Sequence, residues 1–263
     1  MTTDDAYFVR LDERRFRPTP LTGGAWRTTE QHISPMNGLI VHAVERFRAG
    51  RGDDGMAISR VGVDILGVLD LDDFEVTVDV VRPGRTIELL EVTVVSGGRS
   101  AVHARVWRSI VTDTAAVAGG EADPLPAPET LEPLDLTGVW PGGYIRSLDV
   151  RPVAVPKPGR GTSWVRTSAS IVAGEPVSDL ARLMGLVDTA NGLSVRESPD
   201  VWLFPNLDLT IHLFRQPSGE WLGLDTTVVF GPAGLGVTAS ALHDTRGHFG
   251  YARQALTIRP RSS

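Results

Sequence analysis

The sequence predicts an α+β fold in which a helix followed by a long antiparallel meander occurs twice. Three observations carry this. Apolar residues recur at helical spacing in two stretches, residues 36–47 and 180–187. Each stretch is followed by runs of apolar/polar alternation divided by Gly- and Pro-rich turns. Between the two groups, residues 113–140 lose all periodicity and turn rich in Ala, Pro, Gly, Asp and Glu. Helices that precede meanders, rather than alternating with single strands, point to α+β.

In chain order, residues 1–24 read as irregular, with Phe8, Val9 and Phe16 as strand pieces and Gly23-Gly24 as a turn. Ser34 and Pro35 read as an N-cap followed by a first-turn proline. Beyond them Met36, Leu39, Ile40, Ala43, Val44 and Phe47 form a helical stripe, ended by Gly50, Gly52 and Gly55. Residues 56–68 make the next strand. Phe74, Val76, Val78 and Val80 then alternate with Glu75, Thr77 and Asp79, a half-buried strand. The turn Arg82-Pro83-Gly84-Arg85 leads into strands at 86–95 and 100–111, joined through Ser96-Gly97-Gly98. After the irregular 113–140 stretch, strands are expected at 144–153 and 164–172, around a Pro/Gly loop at 156–161. A helix is expected over 178–193, with Leu180, Leu183, Met184 and Val187 on one face. Strands at 207–214, 221–230, 236–242 and 249–258 complete the chain.

The order of elements therefore repeats. Asn37-Gly38-Leu39 and Asn191-Gly192-Leu193 fall on the two helices, and the turns at Gly97-Gly98 and Arg246-Gly247 recur at nearly the same offset. The expected organisation is an N-terminal repeat over 1–112, a linker over 113–140 that crosses the surface, and a C-terminal repeat over 141–263.

Bulk properties narrow the function. The 263 residues are 41% hydrophobic and 22% charged, as expected of a soluble globule. No apolar run is long enough for a membrane span. The N-terminus MTTDDAYFVR has no apolar signal core, and the absence of cysteine removes disulfides, thiolate nucleophiles and Cys-based zinc sites; a cytoplasmic location is the expectation. The net charge of −6 and the scattered arginines argue against nucleic acid as the partner.

Two polar residues are locally out of place. Asp188 stands four residues after Met184 and so shares the helix's apolar stripe, where an isolated carboxylate is costly or has its pKa raised. Gln254 interrupts the apolar face formed by Gly250, Ala252, Leu256 and Ile258 on the last strand. A helix packed on a sheet brings such faces together, so acid and amide can compensate each other and hold a water. Asn206, beside Pro205, has the parity opposite to Leu207, Leu209, Ile211 and Leu213, so alternation places it on the other face. The six histidines show no metal spacing and read as structural or exposed. There is no G-x-S-x-G elbow or Walker lysine. The six tryptophans read as core or interface.

Arg82-Pro83-Gly84, Asp149-Val150-Arg151-Pro152-Val153, Trp164-Val165-Arg166, Leu186-Val187-Asp188, Asn206-Leu207-Asp208-Leu209-Thr210-Ile211-His212, and Gln254 followed by Arg259 occur in this order. In this the chain resembles the double-hotdog acyl-CoA thioesterases, in particular the bacterial type II enzymes. The resemblance implies two hotdog repeats, each a long helix wrapped by an antiparallel sheet. It implies hydrolysis of acyl-CoA to a fatty acid and CoA by an activated water, with no metal or other cofactor. The family's helix Asp, strand-entry Thr and last-strand Gln carry over to Asp188, Asn206 and Gln254, with Asn206 standing where Thr is expected. An amide can hold a water but is no nucleophile. Backbone N–H groups near Gly23 and Gly24 are the expected oxyanion donors. The partner implied is acyl-CoA, and association into a homo-oligomer through the sheets is a further expectation. Two other readings remain open: a non-catalytic double hotdog that binds an acyl chain, and an enoyl-CoA hydratase, though no histidine closely follows Asp188.

Overall fold

Most of the period-two runs become strands. The computed structural model describes residues 5–24, 26–52 and 54–261. Its strands are β1 (Ala6–Arg10), β2 (Arg15–Pro18), β3 (Met56–Ile65), β4 (Phe74–Arg82), β5 (Ile87–Ser96), β6 (Arg99–Ile110), β7 (Leu148–Pro152), β8 (Arg160–Thr167), β9 (Ser170–Val172), β10 (Trp202–Leu203), β11 (Asp208–Leu213), β12 (Leu222–Phe230), β13 (Leu235–Asp244), β14 (Gly247–Thr257) and β15 (Arg259–Pro260). Among the described residues, thirteen of these form one sheet in the order β7-β8-β12-β13-β14-β11-β3-β6-β5-β4-β2-β1-β9, and β10 pairs with β15. Neighbours run antiparallel except β1 and β9, which are parallel. Strands from the two halves of the chain meet where β3 pairs with β11, Val61 opposite Ile211.

Helix α1 (Ile33–Ala49) buries Met36, Leu39, Ile40 and Val44, the face the stripe predicts, and lies against β4 and β5. It begins earlier than expected. The N-cap is His32, whose Nδ1 accepts from the Ser34 N–H at 3.1 Å, rather than Ser34 itself. Pro35 then sits in the first turn, where its missing N–H leaves no intrahelical bond unmade.

The expected single helix over 178–193 is instead three short pieces: α3 (Asp179–Met184), a 3₁₀ turn Val187–Thr189, and α4 (Ala190–Leu193). Ser178 caps α3 at its start through the Ala181 N–H, and Gly185 ends it. The break has a tertiary cause. Helices α1 and α3 cross at glycines: a Cβ on Gly38 would lie 2.7 Å from the Ala181 carbonyl oxygen, and one on Gly185 would lie 2.8 Å from Ile171 Cδ1. The chain turns out of α3 at this crossing, and Asp188 is delivered on the 3₁₀ turn.

Two strand expectations also shift. Residues 144–153 begin with a helical turn, α2 (Gly143–Arg146), before β7. Gly142 has φ +121°, and a Cβ there would meet the Gly23 carbonyl oxygen at 2.2 Å, so this turn packs backbone to backbone on residues 20–24. The 164–172 run divides into β8 and β9. Residues 113–140 form no strand. They are held on the sheet by Trp164 Nε1, which donates to the Pro126 carbonyl at 2.7 Å, and by the Ala122 N–H, which donates to His248 Nδ1 at 3.0 Å. No helix among the described residues is long and apolar enough to cross a membrane.

Candidate active site

Asp188 is 3% exposed. Its Oδ1 accepts two charge-assisted hydrogen bonds, from Gln254 Nε2 at 2.6 Å and Asn206 Nδ2 at 2.7 Å. Gln254 reaches it from the middle of β14, on the buried face between Ala252 and Leu256, as alternation predicts. Asn206 reaches it against the simple parity expectation. It stands ahead of β11, in an isolated bridge to Leu256, and its amide also donates to the Asp208 carbonyl at 3.1 Å. Alternation holds from Asp208 onward, whereas Pro205 and this local bond turn Asn206 inward and leave Leu207 half exposed.

Burial raises the Asp188 pKa to about 7, with the two amide bonds pulling partly the other way. The residue is therefore a carboxylate that gains and loses its proton near neutrality. With Oδ1 occupied by two donors, Oδ2 is the oxygen left for a proton. Oδ2 lies 3.9 Å from His32 Nδ1. This is not an ion pair. Burial pushes the His32 pKa down to about 3, and its Nδ1 is already taken as the acceptor of the α1 cap.

Asp188, Asn206 and His32 line one cavity of about 400 Å³. Trp26 and Trp140 form an aromatic wall, edge to face at 5.1 Å, backed by Phe204 at 5.1 Å from Trp26. Leu66, Val68 and Leu207, exposed apolar residues, lie toward its outer side. A largely apolar cavity with a buried carboxylate at its wall, held by the Asn206 and Gln254 amides, suits a greasy substrate attacked by water.

Residues 22–109 match the acyl-CoA thioesterase N-terminal domain, and residues 128–258 match the acyl-CoA thioesterase C-terminal domain. The chain belongs to the acyl-CoA thioesterase family. Thioester hydrolysis is the general activity that membership carries. No curated protein resembles the sequence closely enough to count as a match. Solved structures resemble this acyl-CoA thioesterase family member over nearly its whole length. A hot dog fold protein from Alicyclobacillus acidocaldarius is 13% identical, with a TM-score of 0.76 over 98% of each chain. The TesB protein of Mycobacterium avium subs paratuberculosis is 16% identical, with a TM-score of 0.69 over 96% of each. Acyl-CoA thioesterase II from Mycobacterium marinum is 17% identical, with a TM-score of 0.62 over 97% of this chain and 96% of that one. These establish a hotdog fold for this thioesterase family member.

Gly23 and Gly24 do not fit the oxyanion role expected of them. The Gly24 N–H donates to the Glu30 carbonyl at 3.0 Å and the Gly23 N–H to the Pro20 carbonyl at 3.3 Å, so both donors are committed. Gly24 does line the cavity. The Ile33 N–H, at the first position of α1, faces no hydrogen-bond acceptor among the described residues, and Ile33 lines the cavity. His32, which by sequence reads as structural or exposed like the other histidines, lines the cavity. The signal was its position directly ahead of the apolar stripe, which Ser34-Pro35 obscured. Trp26 and Trp140 also belong to the site wall, and nothing in their sequence neighbourhoods marks that.

Proposed function

We propose that the protein hydrolyses acyl-CoA thioesters with a water activated by Asp188. The observation that carries this is a buried carboxylate, titrating near neutrality, at the wall of an apolar cavity. Asp188 Oδ2 takes a proton from water as the water oxygen attacks the thioester carbonyl. Gln254 and Asn206 pin the carboxylate, so that the basic oxygen faces the cavity. The Ile33 N–H, at the positive end of α1, donates to the oxyanion that forms. As the tetrahedral adduct collapses the C–S bond breaks, and Asp188 returns its proton to the CoA thiolate. Asn206 acts here as a donor that orients Asp188, and the chemistry needs no nucleophile at that position.

Two hotdog repeats, 1–112 and 141–263, joined by 113–140, fit this site. Helix α1 precedes β3–β6, and α3 with α4 precedes β11–β14. The first repeat supplies His32 and Ile33, the second Asp188, Asn206 and Gln254.

An acyl-CoA panel read with a thiol-reporting dye tests the proposal. Thiol should be released, and kcat/KM should rise with pH through a midpoint at about 7, the Asp188 value, to a plateau. Binding without thiol release would make the protein an acyl carrier instead. The aromatic wall sets a second expectation. Trp26→Ala should move the optimum toward longer acyl chains, by about tenfold in relative kcat/KM for a chain extended by one or two methylenes. An unchanged chain-length profile would remove Trp26 from the acyl pocket.

A further inference from the structure

The two ring nitrogens of His32 have different duties. Nδ1 accepts from the Ser34 N–H at 3.1 Å. A ring nitrogen that accepts carries no hydrogen, so the neutral imidazole holds its hydrogen on Nε2. Placing a proton on Nδ1 would break the α1 cap. The ring's orientation is set as firmly as its tautomer. It lies flat on Tyr144, with centroids 4.3 Å apart and planes 28° apart. The Tyr144 hydroxyl donates to the Gly185 carbonyl at 3.2 Å and bonds Thr189 Oγ1 at 2.9 Å. Gly185 stands just ahead of the turn that carries Asp188 and Thr189 is its last residue, so one brace positions imidazole and carboxylate together. The His32 side chain is 12% exposed and lines the cavity. Its Nε2–H has no hydrogen-bond partner among the described residues.

We propose that His32 is a catalytic residue whose Nε2–H donates to the substrate's thioester carbonyl oxygen, and to the oxyanion that replaces it, alongside the Ile33 N–H. The assignment rests on the thioesterase reading above. A neutral donor suits this place. An imidazolium 3.9 Å from Asp188 would hold the carboxylate ionised and make it a poorer base, whereas a neutral ring polarises the carbonyl and leaves the base intact. No proton leaves His32. It supplies a hydrogen bond that strengthens as charge moves onto the oxygen, a contribution to kcat rather than to ground-state binding.

His32→Asn separates this from a purely structural cap. The Asn Oδ1 can accept from the Ser34 N–H, and Asn is among the best N-caps, so the helix start survives while the Nε2–H is lost. The expected result is an unchanged melting temperature, kcat lower by about 10²–10³-fold, little change in KM, and the same acid limb. A binding measurement adds a readout that does not need turnover. A CoA ketone analogue, with CH2 in place of the sulfur, keeps the carbonyl; a CoA thioether has none. Wild type should prefer the ketone, and His32→Asn should lose about tenfold of that preference while binding the thioether as before. Wild-type kcat with an intact ketone preference in His32→Asn overturns the assignment. So does nitrogen NMR placing the His32 hydrogen on Nδ1 in the wild-type protein, a result that holds even if the variant fails to fold. If wild type releases no thiol but shows the His32-dependent ketone preference, the hydrolysis reading falls and the carbonyl donor stands.

Discussion

Asp188→Asn is expected to abolish thioester hydrolysis and, above neutral pH, to make the protein more stable. The two effects share one cause. Burial holds the folded Asp188 pKa at about 7, against 3.8 for the free side chain. The folded state therefore binds a proton that the unfolded chain releases between those values. Stability from this group is full below about pH 4 and is lost as pH rises through about 7. The loss is on the order of 4 kcal/mol, about 1.4 kcal/mol for each pH unit of the gap. Asn does not titrate. Its Oδ1 can still accept from Gln254 and Asn206, which now bond Asp188 Oδ1 at 2.6 and 2.7 Å. It therefore resembles the protonated acid and escapes the cost of ionising it. Urea unfolding of both proteins at about pH 4.5 and about pH 8.5 reads the difference: near parity at the lower value, several kcal/mol in favour of Asn at the higher. Turnover should fall by about 10³-fold or more through loss of the base. An active Asn variant, or a stability gap that does not change with pH, would remove Asp188 from the site.

Polar residues set on otherwise apolar faces are what made the candidate site legible from sequence. Asp188 and Gln254 each break the apolar pattern of their own element, and each breach marked a residue that folding brings to its partner. The alternating strands and the stripe of α1 were legible for the same reason, since periodicity reports which face is buried. Three features were not legible. Asn206 reaches Asp188 because Pro205 and a side-chain bond to the Asp208 carbonyl override alternation over two residues. His32 stands at a helix cap, a position defined by backbone geometry rather than by period, and Ser34 offered a more familiar cap two residues later. The oxyanion expectation fell on Gly23 and Gly24 as backbone N–H groups near a helix N-terminus, but those N–H groups are used in the loop's own turns. The break of the second helix depends on where α1 crosses it, a contact between residues far apart in sequence.

That crossing carries the last prediction. Gly38→Val should cost about 3 kcal/mol or more, and should lower turnover further than stability alone explains. Gly38 lies inside α1, where Gly is a poor helix former and most residues would be preferred. It is kept small by its neighbours: a Cβ would stand 2.6 Å from Ile171 Cδ1, 2.7 Å from the Ala181 carbonyl oxygen and 3.1 Å from Gly185 Cα. The Ile171 methyl can rotate away, but the backbone atoms of Ala181 in α3 and of Gly185 at its end cannot. Val must therefore lift α3 from α1. The start of α1 holds His32, and the exit of α3 through Gly185 holds Asp188, so the same movement parts the carboxylate from the imidazole and lets water reach it. The acid limb of kcat/KM should then move below about 7, toward an ordinary carboxylate, as burial weakens. Gly50→Ala is the matched control. Gly50 has φ −67°, and the nearest atom to a new Cβ there is the Phe47 carbonyl oxygen at 3.8 Å. That change should be neutral or stabilising by up to about 1 kcal/mol, with the acid limb in place. If Gly38→Val kept wild-type stability and pH profile, the helices would not be locked at this crossing. The break at Gly185 would then have to come from the local sequence between Met184 and Val187.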